Sequence, residues 1–327
     1  MPKVSVIMPA YNAEKYINEA VDSILTQTYG DFELIILNDC SKDRTEEMIL
    51  AYEDARIVYL KNEQNMGVAA TLNKGLEVAK GQYIARMDAD DISLPERFEK
   101  QVAYLDTHPD VAVLGTAVET FDEKGDTFRD PYRPNEAQIK IDLLFASVLA
   151  HPSVMMRRDV ILALGGYDRE FEGLEDYELW CRVVAEHNIT VYPEVLLRYR
   201  IHSAQVTQHS SPKKAAAQKR IRAYHLHTLG LPEDGTVAEG FYGYFAHRTK
   251  TPDQVLAENA FFEAAIQANK TKKIYHQQLL KKCFRQLIKS SVMGLEKSQR
   301  RQICKKSKLL SVWDVRLSEM KKRLKSR

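Results

Sequence analysis

Three carboxylates fall within four residues, Asp88, Asp90 and Asp91, where the apolar run Tyr83-Ile84-Ala85-Arg86-Met87 stops. Side chains alternate along an extended segment, so Asp88 and Asp90 face one way at a strand end while Asp91 turns aside. Two hard oxygen donors side by side suit Mg2+ or Mn2+, which take carboxylate, water and substrate phosphate rather than a closed protein cage. A polar turn before a helix uses the same residue types, so a lone D-x-D does not decide between the two readings. A second acidic pair, Glu175 and Asp176, opens a stretch in which Leu179, Trp180, Val183 and Val184 define a helical apolar face. Acids at a helix start can also serve simply to meet its exposed N–H groups and macrodipole.

A scaffold for these residues is written in the preceding pattern. Apolar runs of strand length occupy residues 4–8, 32–37, 56–60 and 83–87, and helical spacing of apolar residues occupies 14–25, 43–52 and 68–79. Strands alternating with helices imply an α/β fold with a parallel sheet, helices on both faces, and ligands outside the carboxyl ends of the strands. At those ends stand Pro9-Ala10-Tyr11-Asn12, Asn38-Asp39 and the acids from Asp88 to Asp91. Each alone is ordinary turn chemistry, whereas three together predict one crevice. Neither G-x-G-x-x-G nor G-x-x-x-x-G-K-[ST] occurs, which removes the common dinucleotide and P-loop readings and leaves phosphate to be held through a metal.

Further along, Ser93-Leu94-Pro95-Glu96 has capping-box spacing before a helix carrying Phe98, Val102 and Leu105. Residues 111–121 read as a strand, 127–134 as an excursion over the acceptor side, and 151–158 as a loop entering a strand, with His151 serving either structure or function. A strand over 195–201 ends in Arg198-Tyr199-Arg200-Ile201-His202, after which come 203–207. Helices are expected over 215–229, 253–268, 274–292 and, with breaks, 298–325. Leu279, Leu280, Phe284, Leu287 and Ile288 form one apolar stripe among lysines, fit either to pack on the catalytic domain or to lie on a membrane surface.

The chain's 327 residues suit two domains, 1–209 (in two halves of about 1–110 and 111–209) and 210–327. Its net charge of +2 conceals 21 Lys/Arg against 36 Asp/Glu in 1–209 and 26 against 9 in 210–327. An acidic front half is a poor nucleic-acid binder, and no nucleic-acid module appears, so any polyanion contact, an anionic membrane surface included, falls to the basic tail. Cys40, Cys181, Cys283 and Cys304 form no C-x-x-C and read as reduced thiols. With no signal-type or spanning run, the expectation is a cytoplasmic protein, soluble or peripheral on the inner face of the cytoplasmic membrane.

Pro9-Ala10-Tyr11-Asn12, the run D-F-E-L-I-I-L-N-D ending at Asp39, residues 65–75 and Arg86 to Asp91 together resemble inverting family 2 glycosyltransferases of GT-A fold, over about the first 205 residues. The resemblance implies a UDP-sugar donor whose nucleotide meets Pro9, Tyr11, Asn12, Asp39 and Asn65, with Asp39 at the uracil. It implies Asp88 near the nucleotide, Asp90 as ligand of Mn2+ or Mg2+ with Asp88 beside it, and His202 near the diphosphate. The E-D-x-x-L-W pattern implies Asp176 as general base, with Glu175 positioning acceptor or base. His151 falls near donor or acceptor. The R-Y-R-x-H run is similar to the end of the catalytic domain in bacterial transferases that extend lipooligosaccharide or capsular chains, so the acceptor implied is a saccharide or lipid-linked saccharide. Three residues depart from the family pattern: Asn38 and Cys40 stand where Asp and Gly are frequent, and Leu72 where Arg often precedes the Asn. The alternatives are a sugar-phosphate nucleotidyltransferase, whose Gly-rich phosphate loop is missing after residues 4–8, and a non-catalytic nucleotide-sugar-binding protein, against which the presence of both Asp90 and Asp176 argues.

Overall fold

Apolar residues on both faces make the first strand a fully embedded one, and the sheet grows outward from it. The computed structural model describes residues 1–129, 134–202, 212–244, 249–311 and 314–315, and the statements below concern these. The chain divides into two units, Met1–Ala217 and Gln218–Arg327.

In order, the first unit forms β1 (Val4–Ala10), α1 (Ile17–Leu25), β2 (Phe32–Asn38), α2 (Thr45–Leu50), β3 (Ile57–Lys61), α3 (Val68–Val78), β4 (Tyr83–Arg86), β5 (Ile92–Ser93), α4 (Arg97–Thr107) and β6 (Val111–Asp122). There follow β7 (Thr127–Arg129), α5 (Glu136–Asp142), β8 (Met155–Arg157), α6 (Arg158–Ala163), α7 (Glu175–Glu186) and β9 (Asn188–Ile201). The sheet order is β3-β2-β1-β4-β8-β6-β9-β5, with β7 paired to β6. Val4 registers with Phe32 on one side and with Tyr83 on the other, both parallel. The chain therefore leaves β1 toward β2 and β3, then returns to the opposite side at β4, and this switch opens a crevice at the carboxyl ends of β1 and β4. Val4, Val6 and Met8 pack with Ile17, Val21, Ile24, Phe98, Val102 and Leu105 of α1 and α4, while Gly75 of α3 abuts Ile7 and Leu37 on the other face. Each such fully buried aliphatic or aromatic side chain contributes about 1.5–3 kcal/mol.

Past β4 the sheet becomes mixed. Strand β8 is antiparallel to β4 and β6, β6 is parallel to β9, and β9 is antiparallel to β5. The last strand begins earlier than the expected 195–201 because a bulge absorbs its proline: Thr116 pairs Tyr192 and Ala117 pairs Val195, leaving Pro193 and Glu194 outside the ladder. Proline has no N–H to donate, and a bulge is where that loss is tolerated. The bend carries Leu197 and Arg198 onto β5.

The capping box expected at Ser93 to Glu96 does not form, because Ser93 belongs to β5. Its N–H donates to Ser23 Oγ and its Oγ accepts from Gln27 Nε2. Helix α4 starts at Arg97, and the Phe98 N–H is met by Gln27 Oε1 from beyond α1. Side chains distant in sequence do the capping.

The second unit contains most of α8 (Pro212–Leu229), then α9 (Gly235–Gly243), α10 (Pro252–Lys272), α11 (Gln277–Met293) and α12 (Lys297–Lys306). Helix α9 falls between the helices expected from spacing, and it buries Ala238, Gly240 and Phe241. Phe241 stacks on Phe261 at 4.3 Å between ring centroids and Phe262 meets Phe284 at 4.7 Å. The apolar stripe of α11, with Leu280, Phe284, Ile288 and Val292 buried, thus packs into the core of its own unit, where α10 supplies its partners. Helix α12 takes up the first part of the expected 298–325, and a break follows it, where the Ser307 Oγ accepts from the N–H groups of Leu309 and Leu310 and turns the chain. Of the sequence expectations, 130–133 in the excursion, 203–207 after His202, and 312–313 and 316–325 of the last helix lie outside the described residues. No helix among the described residues is long and apolar enough to cross a membrane.

Gly81 sits where β4 meets β1: a Cβ there would lie 2.5 Å from the Ser5 nitrogen and 2.7 Å from the Val4 carbonyl carbon. Backbone atoms in a parallel ladder cannot yield without breaking it. Gly81→Ala is expected to lower stability by about 1–3 kcal/mol, the usual cost of overpacking. Urea unfolding checks this as a lower midpoint at unchanged slope; an unchanged midpoint would refute the close approach.

Candidate active site

The switch in strand order brings the acidic loop to the crevice, and β9 fastens it there. One carboxylate oxygen from each of Asp88, Asp90 and Asp91 can be chosen so that all three lie within 4.8 Å of one another. Asp91 is buried, its Oδ1 accepts from the Arg200 N–H at 2.8 Å, and its Oδ2 has no hydrogen-bond partner. The half-buried Asp90 bonds His202 Nε2 through Oδ2 at 2.8 Å, and its carbonyl accepts from Arg200 Nε at 2.7 Å. Asp88 forms an ion pair with the buried guanidinium of Arg86. Arg200 in turn pairs with Glu19 and lies over the rings of Tyr16 and Phe121, at 4.6 and 4.5 Å. The ring of Tyr16 also touches His202.

Such crowding resists ionisation. Burial pushes the Asp91 carboxyl well up, and Asp88 and Asp90 add to it. Asp88 is raised by burial first, with Arg86 pulling it down and Asp90 and Asp176 pushing it up. An all-oxygen set with an orphaned buried oxygen, in which burial first and neighbouring charge second raise Asp88 and Asp91, fits a hard divalent cation.

Asn12 at the end of β1 bonds the loop after β2, and Asp39 at the end of β2 bonds the loop after β3. The Asn12 Oδ1 accepts from the Lys42 N–H, and the Asn12 N–H donates to Ser41 Oγ. Asp39 is buried and accepts from Asn62 Nδ2 and the Met66 N–H through Oδ1, and from the Gly67 N–H through Oδ2. Pro9 is half-buried in β1, while Tyr11 and Asn65 are exposed, Asn65 one residue before the segment that Asp39 holds. Asn12 and Cys40 adopt positive φ, 49° and 63°. For Cys40 the conformation costs on the order of 1–2 kcal/mol, which is why glycine is frequent at that place.

The second acidic pair lies at the start of α7. Asp176 Oδ2 accepts from Ser147 Oγ at 2.9 Å, and a Glu175 carboxylate oxygen accepts from the Gly173 N–H at 2.6 Å. Burial raises the Asp176 carboxyl, while Ser147, the Tyr177 amide and Arg86 pull it back. Arg86 and Asp88 are therefore electrostatic neighbours of Asp176, and the two acidic constellations share one site. His151 is buried against Trp180, bonds the Tyr167 hydroxyl at 2.9 Å, and is kept neutral by burial and then by Arg86. Its bonds and packing occupy it structurally.

Arg86, Ser147, Glu172 and Arg200 escaped the sequence reading as site residues. Arg86 carried a signal, since alternation along β4 puts it on the same side as Asp88, and Arg200 stood in the R-Y-R-x-H run. The others act through contacts between distant segments.

Residues 5–165 match the family model described as Glycosyl transferase family 2. The chain is 36% identical over 233 residues to the O-antigen biosynthesis glycosyltransferase WbnJ of Escherichia coli, covering 68% of this chain and 87% of that protein. Residues 1–349 of S. aureus TarS, solved in complex with UDP-GlcNAc, share the fold with a TM-score of 0.57 at 18% identity, over 87% of this chain and 92% of that one. The mannosyltransferase PcManGT of Pyrobaculum calidifontis, solved with GDP-Man and Mn2+, gives a TM-score of 0.51 at 18% identity, over 92% and 83%. The fold is thus that of GT-A glycosyltransferases.

Glu175 offers a test of this electrostatic setting. Its carboxyl is pushed from 4.5 up to about 7 by burial first and by Asp176 second. A carboxyl raised on folding is protonated more readily in the folded chain, so its contribution to stability is full below 4.5 and is lost as pH climbs to about 7. Glu175→Gln lacks that loss. Its stability relative to the natural chain is expected to rise across this window by on the order of 1 kcal/mol or more, at about 1.4 kcal/mol per pKa unit. Urea unfolding of both proteins at the two ends of the window checks it, and a constant difference would refute the raised value.

Proposed function

The chain belongs to glycosyl transferase family 2, and from that membership we propose that it moves a sugar from a UDP-sugar, with inversion, onto a hydroxyl of a saccharide or lipid-linked saccharide. The setting proposed is synthesis of a bacterial surface polysaccharide, as the name of the WbnJ relative suggests. The observation that carries the reading is the meeting of the Asp88-Asp90-Asp91 cluster and Asp176 around Arg86 at one crevice. Support for a UDP donor comes from the UDP-GlcNAc bound to TarS, and from Asp39, whose Oδ2 accepts from Gly67 alone and can also accept from a base N–H.

In this reading Pro9, Tyr11, Asn12, Asp39 and Asn65 surround the nucleotide, and His202 approaches the diphosphate while holding Asp90. Asp90 and Asp88 would hold Mn2+ or Mg2+, which when bound supplies positive charge beside the leaving phosphate. Asp176 takes the proton of the acceptor hydroxyl. The oxygen so activated bonds to the anomeric carbon as the bond from that carbon to the UDP oxygen breaks, on the opposite face. Burial strengthens Asp176 as a base by raising its carboxyl, and the Ser147 hydroxyl, the first-turn amides and Arg86 limit that rise.

A screen of UDP-sugars, reading UDP release with and without saccharide acceptors, identifies the donor. With that pair, Asp176→Asn is expected to bind UDP normally by calorimetry and to transfer sugar about 10²- to 10⁴-fold more slowly, the usual loss of a general base. Transfer within twofold of the natural enzyme would exclude the assignment. Asp90→Ala is expected to abolish turnover with the circular dichroism spectrum retained, and full activity of the natural enzyme in excess chelator would remove the metal from the mechanism.

A further inference from the structure

Four consecutive amides at the start of α3 are held by two carboxylates from opposite ends of the catalytic unit. Asp39, at the end of β2, takes the N–H groups of Met66 and Gly67 at 2.8 and 3.0 Å. Glu172 takes those of Val68 and Ala69 at 2.6 and 3.2 Å. Helix α3 has no capping side chain next to it in sequence, so the carboxylate of Glu172, about a hundred residues on, meets donors the helix cannot satisfy itself. Its approach depends on Gly67: a Cβ there would stand 2.7 Å from Glu172 Oε1, at a φ of 84° that disfavours any other residue.

A second tie fixes the same segment. Asn73 of α3 donates through Nδ2 to the Tyr167 carbonyl at 2.7 Å and accepts the Tyr167 N–H through Oδ1 at 2.8 Å. Residues 167–172 are thus bound to α3 at both ends. Only Gly173 and Leu174 separate Glu172 from Glu175, the first residue of α7, and the Glu175 carboxylate grips the Gly173 N–H. Little slack is left between α3 and Asp176.

We infer that Glu172 is a positioning residue that sets the start of α7, and with it Asp176, against the loop held by Asp39. The inference rests on the assignment of Asp176 as base and Asp39 as nucleotide contact. A carboxylate that merely caps α3 would contribute to stability alone; one that positions Asp176 controls the transfer step, in which a misplacement of about 1 Å can cost 10²-fold.

The test uses the full chain and four variants, Glu172→Ala, Glu172→Gln, Asp176→Asn and the double variant Glu172→Ala/Asp176→Asn. Amide hydrogen exchange at Val68 and Ala69, UDP affinity by calorimetry and kcat at saturating donor are measured for each. Expected for Glu172→Ala are faster exchange at both amides, UDP affinity within about threefold, and a kcat lowered roughly 10- to 100-fold. Glu172→Gln, which keeps one accepting oxygen, is expected to lie between this and the natural enzyme. In the Asp176→Asn background, loss of Glu172 is expected to cost nothing further, because interacting residues are not additive. Additive losses, a weakened UDP affinity with unchanged kcat, or unchanged exchange would overturn the positioning role. A slow Asp176→Asn enzyme beside a full-speed Glu172→Ala enzyme would overturn this inference alone, whereas a full-speed Asp176→Asn enzyme would overturn the base assignment and this inference with it.

Discussion

Mutual repulsion among three carboxylates at the end of β4 is the constraint that the catalytic unit is arranged to contain. At a separation of 4.8 Å two ionised carboxylates repel by about 3 kcal/mol at an effective dielectric constant of 20. The surrounding groups answer this from three directions. Arg86 pairs with Asp88 from within the strand, His202 and Arg200 reach Asp90 and Asp91 from the end of β9, and Arg97 lies fully buried at the start of α4. Arg97 Nη2 donates to the carbonyls of Arg86 and Val154, so it also ties β4 to the residue ahead of β8. A guanidinium buried on carbonyls near Asp91 offsets charge without neutralising the carboxylate by a direct bond, and leaves Asp91 Oδ2 open.

From that centre the architecture follows by necessity of connection. Holding His202 and Arg200 against the acidic loop requires β9 to bend onto β5, and the bulge at Pro193 and Glu194 supplies the bend. Bringing Asp176 into the field of Arg86 and Asp88 requires α7 to begin near the same crevice, and the segment from Tyr167 to Glu172 is bound to α3 to achieve it. Helix α3 is therefore a shared member: its leading loop belongs to the Asp39 network and its first turn to the approach to α7. In glycosyl transfer the donor's anomeric carbon and the acceptor oxygen must meet within a fraction of an ångström, and common anchorage on one rigid helix serves that demand.

The sequence by itself determined the parts whose physics is local. Residues 1–90 showed their strands and helices because apolar runs and helical spacings there are bounded by turn residues, and the acids at the strand ends could be named because strand alternation fixes which way each points. The family likeness rested on the same stretches, and residues 5–165 carry the family match. Tertiary structure alone decided what depends on distant partners. Ser93 became a strand residue because Ser23 and Gln27 bond it, and α4 took its cap from Gln27. Helix α9, which falls between the helices expected from spacing, buries Phe241 on Phe261. Glu172 and Ser147 have no local signature, and Arg200 showed only as a member of the R-Y-R-x-H run, since each acts by reaching across the fold to an amide or a carboxylate. Local spacing encodes direction and periodicity, and contacts across the sheet are set only when the whole chain has closed upon itself.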